Sequence, residues 1–163
     1  MIVIKKSKFY LATFVILASA AAFLFFPARE AIEPLKCKAF ARVKMDIGQD
    51  QLIFSVIESV QFYDKNKGII QYEGDVTSAG KSTYLARTVY LSHGVKTDKN
   101  TYLFTVDKVT ASPLSNTPDS DFNQMWLENS GDNASIDIGV KKIRDQAYVI
   151  SSTYSPQFVC AAY

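Results

Sequence analysis

Few residues in this chain carry chemistry of their own, and they stand far apart. Cys37 lies in EPLKCKAF, Cys160 lies three residues from the last position in SPQFVCAAY, and the single histidine, His93, lies in LSHGV. One histidine cannot build a zinc site with two cysteines that are bonded to each other, and no carboxylate cluster has ligand spacing. Asp119 and Asp121 are better explained as the acidic first turn of a helix. Serines and threonines are plentiful, but no His/Asp arrangement marks one of them as a nucleophile. Gly74 and Gly80 are isolated, so no phosphate-cradling loop is present. The expectation is a protein that is not an enzyme and needs no cofactor or metal.

His93 ends an apolar run and precedes a polar stretch, which reads as an exposed turn residue. Its unperturbed pKa near 6.5 still makes it the first suspect if acid is sensed. Buried or clustered carboxylates could do the same.

What the cysteines do depends on compartment, and the N-terminus speaks to that. Phe9 to Phe26 carries no charge over 18 residues, about the shortest run that spans a ~30 Å hydrocarbon core. Ala18-Ser19-Ala20 and Ala20-Ala21-Ala22 fit a signal-peptide cleavage pattern. The apolar run continues past them through Phe26, however, and favours an uncleaved transmembrane anchor. Lys5, Lys6 and Lys8 hold residues 1–8 in the cytoplasm and send the rest out, into the periplasm if the host is a Gram-negative bacterium. Of the 18 basic residues these three precede the span, leaving 15 against 16 acidic ones. The exported part therefore has no basic run and no footprint for direct nucleic-acid binding.

In an oxidising compartment two cysteines are most simply one disulfide, with two separate buried thiols or an intermolecular bond as alternatives. A Cys37–Cys160 bond would tie the entry of the domain to its exit. Loop entropy puts its worth at about 4–5 kcal/mol as an upper figure. The apolar tail then reads as a last strand beside the first. Asn133-Ala134-Ser135 matches a glycosylation sequon, which an exported bacterial protein would not normally use.

The elements that must hold these residues are mostly strands. After a linker over 27–36 comes the domain over 37–163, in a chain that is 48% hydrophobic as a whole, ample for one core. Ala39, Ala41, Val43, Met45 and Ile47 alternate with polar residues, the period of a half-buried strand. Further strands are expected over Leu52–Tyr63, with a bend near Glu58-Ser59, and over Ile69–Val76, Ser82–Ser92 and Thr101–Thr110. Turns fall at DKNKG and SAGK, and Gly94–Asn100 reads as a polar loop. Thr117 is a candidate cap and Pro118 a first helical residue. Phe122, Met125 and Trp126 then form one helical stripe, suited to closing a sheet's open end or to meeting a partner. Ile136 to Val140, Ala147 to Tyr154 and Phe158 to Ala162 return to strands. The fold class expected is mainly β with a minor α part. The architecture is an antiparallel curved sheet, or a partly closed lipocalin-like barrel with one short helix, preceded by one transmembrane helix.

Taken in order, GIIQYEGDV, YLARTVYLS, TPDSDFNQMW and AYVISSTYSPQFVC, after a short basic N-terminus and an anchor, resemble the FidL-like family of inner-membrane proteins, which share the layout of ToxS-like accessory proteins. The resemblance implies a heterodimer with the periplasmic domain of a ToxR-like regulator, a membrane protein with a cytoplasmic DNA-binding domain. It implies that the accessory protein stabilises the regulator and helps it read an envelope signal such as acid pH or a bile-like ligand, controlling virulence or fimbrial genes. Two other readings stay open at this point: an anchored lipocalin-like binder of a small apolar ligand, and a fimbrial assembly factor.

Overall fold

In the computed structural model the described residues are 34–163, apart from 49, 65, 131–133 and 154. The expected cytoplasmic segment, the span over 9–26 and most of the linker lie outside them. No helix among the described residues is long and apolar enough to cross a membrane.

Eight antiparallel strands close into a barrel in sequence order: β1 (Leu35–Ile47), β2 (Asp50–Asp64), β3 (Lys67–Ser78), β4 (Lys81–Asp98), β5 (Thr101–Ala111), β6 (Ser135–Arg144), β7 (Ala147–Ser151) and β8 (Pro156–Ala162). One helix, α1 (Asp119–Ser130), stands between β5 and β6. The mainly β barrel with one short helix is the architecture expected from the alternation. Short connections make neighbours of consecutive strands. The turn between β3 and β4 shows how: Ala79 and Gly80 both have positive φ, 48° and 76°, which suits the twist of a two-residue hairpin.

The interior is filled by the alternating inward residues. Phe54, Val56, Val76, Leu85, Val89 and Phe104 are all essentially inaccessible. The helix lays its stripe against them. Phe122 meets Tyr72 edge-on at 5.8 Å and lies 6.4 Å from Trp126, and Met125 and Trp126 are buried. Each such side chain removed from water stabilises the fold by about 1.5–3 kcal/mol. Gly74 is needed where it is: with φ of 154°, a Cβ there would meet the Ser55 carbonyl oxygen at 2.3 Å.

Several boundaries differ from the pattern-based expectation. β1 begins at Leu35, inside the expected linker. The expected bend at Glu58-Ser59 is absent from the ladder, which keeps register through both residues and shifts only between Phe62 and Asp64. The expected polar loop over Gly94–Asn100 is mostly strand. β4 runs on to Asp98 because a bulge between Ser92 and Val95 absorbs the break, with His93 at φ 50° and the Gly94 amide bonded to the Asn66 carbonyl at 3.0 Å. β7 stops at Ser151, where a turn donates the Ser152 amide to the Ser155 carbonyl at 3.0 Å. The Thr117 hydroxyl lies 3.1 Å from that of Thr83, joining the start of α1 to β4.

Candidate functional site

The barrel closes through a narrow seam. β1 pairs with β2 along its whole length, from Leu35↔Phe62 to Ile47↔Asp50. On its other edge, among the described residues, it pairs with β8 only at Cys37↔Ala162 and Lys38↔Ala161. The Tyr163 amide adds a bond of 3.2 Å to the Lys36 carbonyl. From Ala39 to Ile47 the strands part, and among the described residues one edge of β1 has no ladder over about 30 Å at ~3.3 Å per residue. Its inward residues Ala39, Ala41, Val43 and Met45 are only partly covered by the core, while Phe40 on the outer face is 68% exposed. Arg42, Lys44 and Asp46 alternate along the same outer face and deter indiscriminate pairing.

At the point where β1 and β8 part, the structure joins Cys37 to Cys160, with Cα atoms 5.5 Å apart and both residues fully buried. Tyr163 is fixed beside it. Its hydroxyl lies 3.1 Å from Ser59 Oγ and accepts from Gln61 Nε2 at 3.1 Å, and Lys38 lies 5.0 Å from its ring centre. The apolar tail is thus the sealing strand of the barrel.

Directly behind the fork runs an interior layer. Register places Ala39 opposite Glu58, Glu58 opposite Tyr72, Tyr72 opposite Arg87, and Arg87 opposite Ala111. Glu58 falls in the inward alternation between Val56 and Val60 and is half-buried, unlike the two valines. Burial raises its pKa from the ordinary 4.5 to about 7, against the opposing pull of a hydrogen bond with Tyr72. Burial, and then Glu58 itself, push the Tyr72 phenol well up. Arg87 is held elsewhere: it pairs with Asp119 at 2.5 Å, donates to the Thr117 carbonyl at 3.1 Å and lies over Phe122 at 5.4 Å. It fastens α1 to β4. A cavity of about 30 Å³ adjoins Glu58 and Tyr72, bounded by Val60, Ile70, Ile138 and Phe158 among others. That is room for a water molecule or two.

His93 lies away from this layer, exposed at its bulge. Its Nδ1 is 2.8 Å from the Ser92 hydroxyl, which itself donates to the Asp107 carboxylate. Sequence reasoning missed this cluster because Asp107 is supplied by the neighbouring strand. The order is carboxylate, hydroxyl, imidazole, whereas a hydrolytic triad needs the imidazole in the middle to take the hydroxyl proton. Glu58 was also missed, although its signal is visible: the apolar alternation Leu52, Phe54, Val56, Val60, Phe62 skips one beat at Glu58.

A family model described as "FidL-like putative membrane protein" matches residues 74–160, from the tight glycine of β3 to the sealing cysteine of β8. The chain belongs to the FidL-like family. No curated protein matches it. The FidL-like match covers Arg87, α1 and Cys160, while the open edge of β1 and the Glu58–Tyr72 pair lie N-terminal to it.

Proposed function

We propose that this FidL-like chain is an inner-membrane accessory protein whose exported domain pairs with the periplasmic domain of a ToxR-like regulator and stabilises it. In this reading the chain helps the regulator sense an envelope signal, acid pH or a bile-like ligand, in control of virulence or fimbrial genes. One observation carries the reading: among the described residues, the edge of β1 from Ala39 to Ile47 is bare. Such an edge takes up a strand from another chain, with backbone hydrogen bonds giving affinity and alternate side-chain positions giving specificity. The half-covered row Ala39, Ala41, Val43 and Met45 offers that strand an apolar surface. The expected anchor over residues 9–26 would confine both proteins to one membrane and raise their effective concentration. The hollow beside Glu58, about 30 Å³, is far below the about 300–1,000 Å³ of a small-molecule pocket, but a second hollow of about 520 Å³ beside Lys38, Ile57, Tyr84, Arg87 and Tyr163 keeps the ligand-binder reading as the alternative.

Deletion of the gene is expected to lower the steady-state level of the regulator and silence its target promoter, and the two proteins are expected to co-purify from membranes. Phe40→Asp, at an exposed position, should weaken co-purification and leave the melting temperature of the free chain unchanged. Unaltered regulator level and promoter output together with no co-purification would reject the reading.

A further inference from the structure

The strand order sorts the charges of the barrel toward its two ends, although the sequence holds no basic run. The turns β2–β3, β4–β5 and β6–β7 meet at the end where β1 starts and β8 stops. With the ladder pairs beside them they carry Lys67, Lys96, Lys99, Lys141, Lys142 and Arg144, against Asp98 and Asp145 among the described side chains. Lys36 at the start of β1 adds to the same sign. The other end carries Asp46, Asp50, Asp119, Asp121 and Asp137 against Lys44 and Lys81. At the basic end Lys142 meets Asp145 at 3.8 Å with both side chains exposed, a pairing that water weakens. A hollow of about 270 Å³ opens there, with Lys96, Lys99 and Lys142 beside Phe62, Tyr102 and Tyr148 and no carboxylate among its described lining residues. Tyr63 and Ile143 stand exposed at the same end. Lysine stems and tyrosine rings of this kind suit the boundary between lipid and water.

Where the chain enters the domain decides what this end faces. Pro34, on the wall of the hollow, is the first described residue, and residues 27–33 are all that separates it from the expected anchor over 9–26. At no more than ~3.6 Å per residue that is about 25 Å, so an anchored chain keeps this end within that distance of the bilayer. We propose that the basic end of the barrel docks on the anionic phospholipid headgroups of the membrane that anchors the chain, with the lysine-rimmed hollow seated over them. The attraction acts over a Debye length of ~8 Å at physiological salt, and the same field turns the acidic end away. β1 starts at the docked end and rises from it, so the edge from Ala39 to Ile47 stands clear of the lipid and open to a partner in the same membrane. The inference rests on the anchor of the proposed function and adds an orientation to it.

The test uses the full-length chain in lipid nanodiscs, which leave both membrane faces open, made of phosphatidylcholine alone or with phosphatidylglycerol added. A neutral amine-reactive reagent labels the lysines, and mass spectrometry reads the rate at each position. With phosphatidylglycerol present, Lys96, Lys99 and Lys142 should label roughly threefold or more slowly than in phosphatidylcholine, while Lys44 and Lys81 keep their rates. Salt at about 1 M, where the Debye length is ~3 Å, should abolish the difference. Combining Lys96→Gln, Lys99→Gln and Lys142→Gln should remove the same lipid dependence from Lys36 and Lys141. Equal rates in the two lipids, slowing of the same size at Lys44 and Lys81, or lipid dependence kept at Lys36 and Lys141 in the triple variant would overturn the docking. If the triple variant does not fold, the wild-type comparison of the two ends decides alone. A chain that fails to enter phosphatidylcholine discs refutes the anchor and this inference with it, whereas one that enters them and labels alike in both lipids refutes the docking only.

Discussion

Two of the barrel's strand edges, on β4 and on β1, are treated differently. On β4 the stretch beyond β5 is covered by the segment leading into α1. Ser112 and Asn116 amides bond to the Ala86 and Tyr84 carbonyls at 2.9 Å each. Asn116 Oδ1 takes the Tyr84 amide at 2.6 Å and Ser115 Oγ takes that of Ala86 at 3.1 Å. On β1 the stretch from Ala39 to Ile47 has no such cover among the described residues. A chain able to hide one edge with side-chain caps leaves the other for something else, because an uncovered edge is a liability that sequences ordinarily remove. The contrast also separates structure from site. The covered edge carries the Arg87–Asp119 clamp and the plugging helix, which serve stability. The bare edge carries the groups that can change, Glu58 behind it and the fork at its base.

Cutting the tie at the base of the bare edge should have the largest effect. Cys160→Ser frees β8 from β1 and removes a cross-link between residues 123 apart. The expected loss is about 4 kcal/mol, a fall in melting temperature of roughly 10 °C or more. Thermal unfolding followed by circular dichroism measures it. Peptide mapping without reduction should recover Cys37 and Cys160 in one linked peptide pair, and free alkylated thiols at both positions would break the comparison at its root.

The next effect is that of pH on the interior behind the bare edge. Glu58 titrates at 4.5 when unfolded and at about 7 when folded. Below pH 4.5 it is neutral in both states and costs nothing. Between pH 4.5 and 7 the unfolded chain gives up a proton that the folded chain keeps, so stability falls as pH rises. The total is about 3 kcal/mol, complete above pH 7. Denaturant titrations at pH 5 and pH 8 should show this difference in the wild type and lose most of it in Glu58→Gln.

On the covered edge, Asn116→Ala should cost about 1 kcal/mol, because it removes one cap from the Tyr84 amide without opening the core. A cost near that of Cys160→Ser would mean that the segment ahead of α1 is as critical as the seam.

Much of the frame could be read from alternation. The period-two runs around Val43 and Ile138 told inside from outside, because a strand with one buried face leaves no other choice, while the stretches around Phe54 and Val76 were legible as strands without their faces. The stripe Phe122, Met125, Trp126 marked the helix for the same reason at another period. What alternation could not supply was pairing across strands. That β1 meets β8 over two residues, or that Glu58 faces Tyr72 and Arg87 is tied to Asp119, depends on register between distant segments. His93 was read as a turn, and it is a bulge within a longer strand. The bulge conceals the continuation, since one residue at positive φ resets the alternation. The polar residues Lys96 to Asp98 belong to the exposed end of that strand, where nothing demands an apolar side chain.

The smallest effect is the most telling about the bare edge. Val60 on β2 and Val43 on β1 are both inward-facing valines, but Val60 is 1% exposed while Val43 is only partly covered. In the free chain Val60→Ala should cost about 2 kcal/mol and Val43→Ala well under 1 kcal/mol, because a truncation costs in proportion to the contacts and cavity it leaves. If a partner's strand lies along Ala39–Ile47, it buries Val43 from the uncovered side. The same Val43→Ala change should then weaken the complex by about 1 kcal/mol, a fivefold loss of affinity, while Val60→Ala, already buried, should change affinity little once the chain is folded. Titration of each variant against the exported domain of the regulator measures both numbers. Equal effects of the two valines on affinity would place the partner elsewhere on the barrel, and the bare edge would lose its claim as the docking strand.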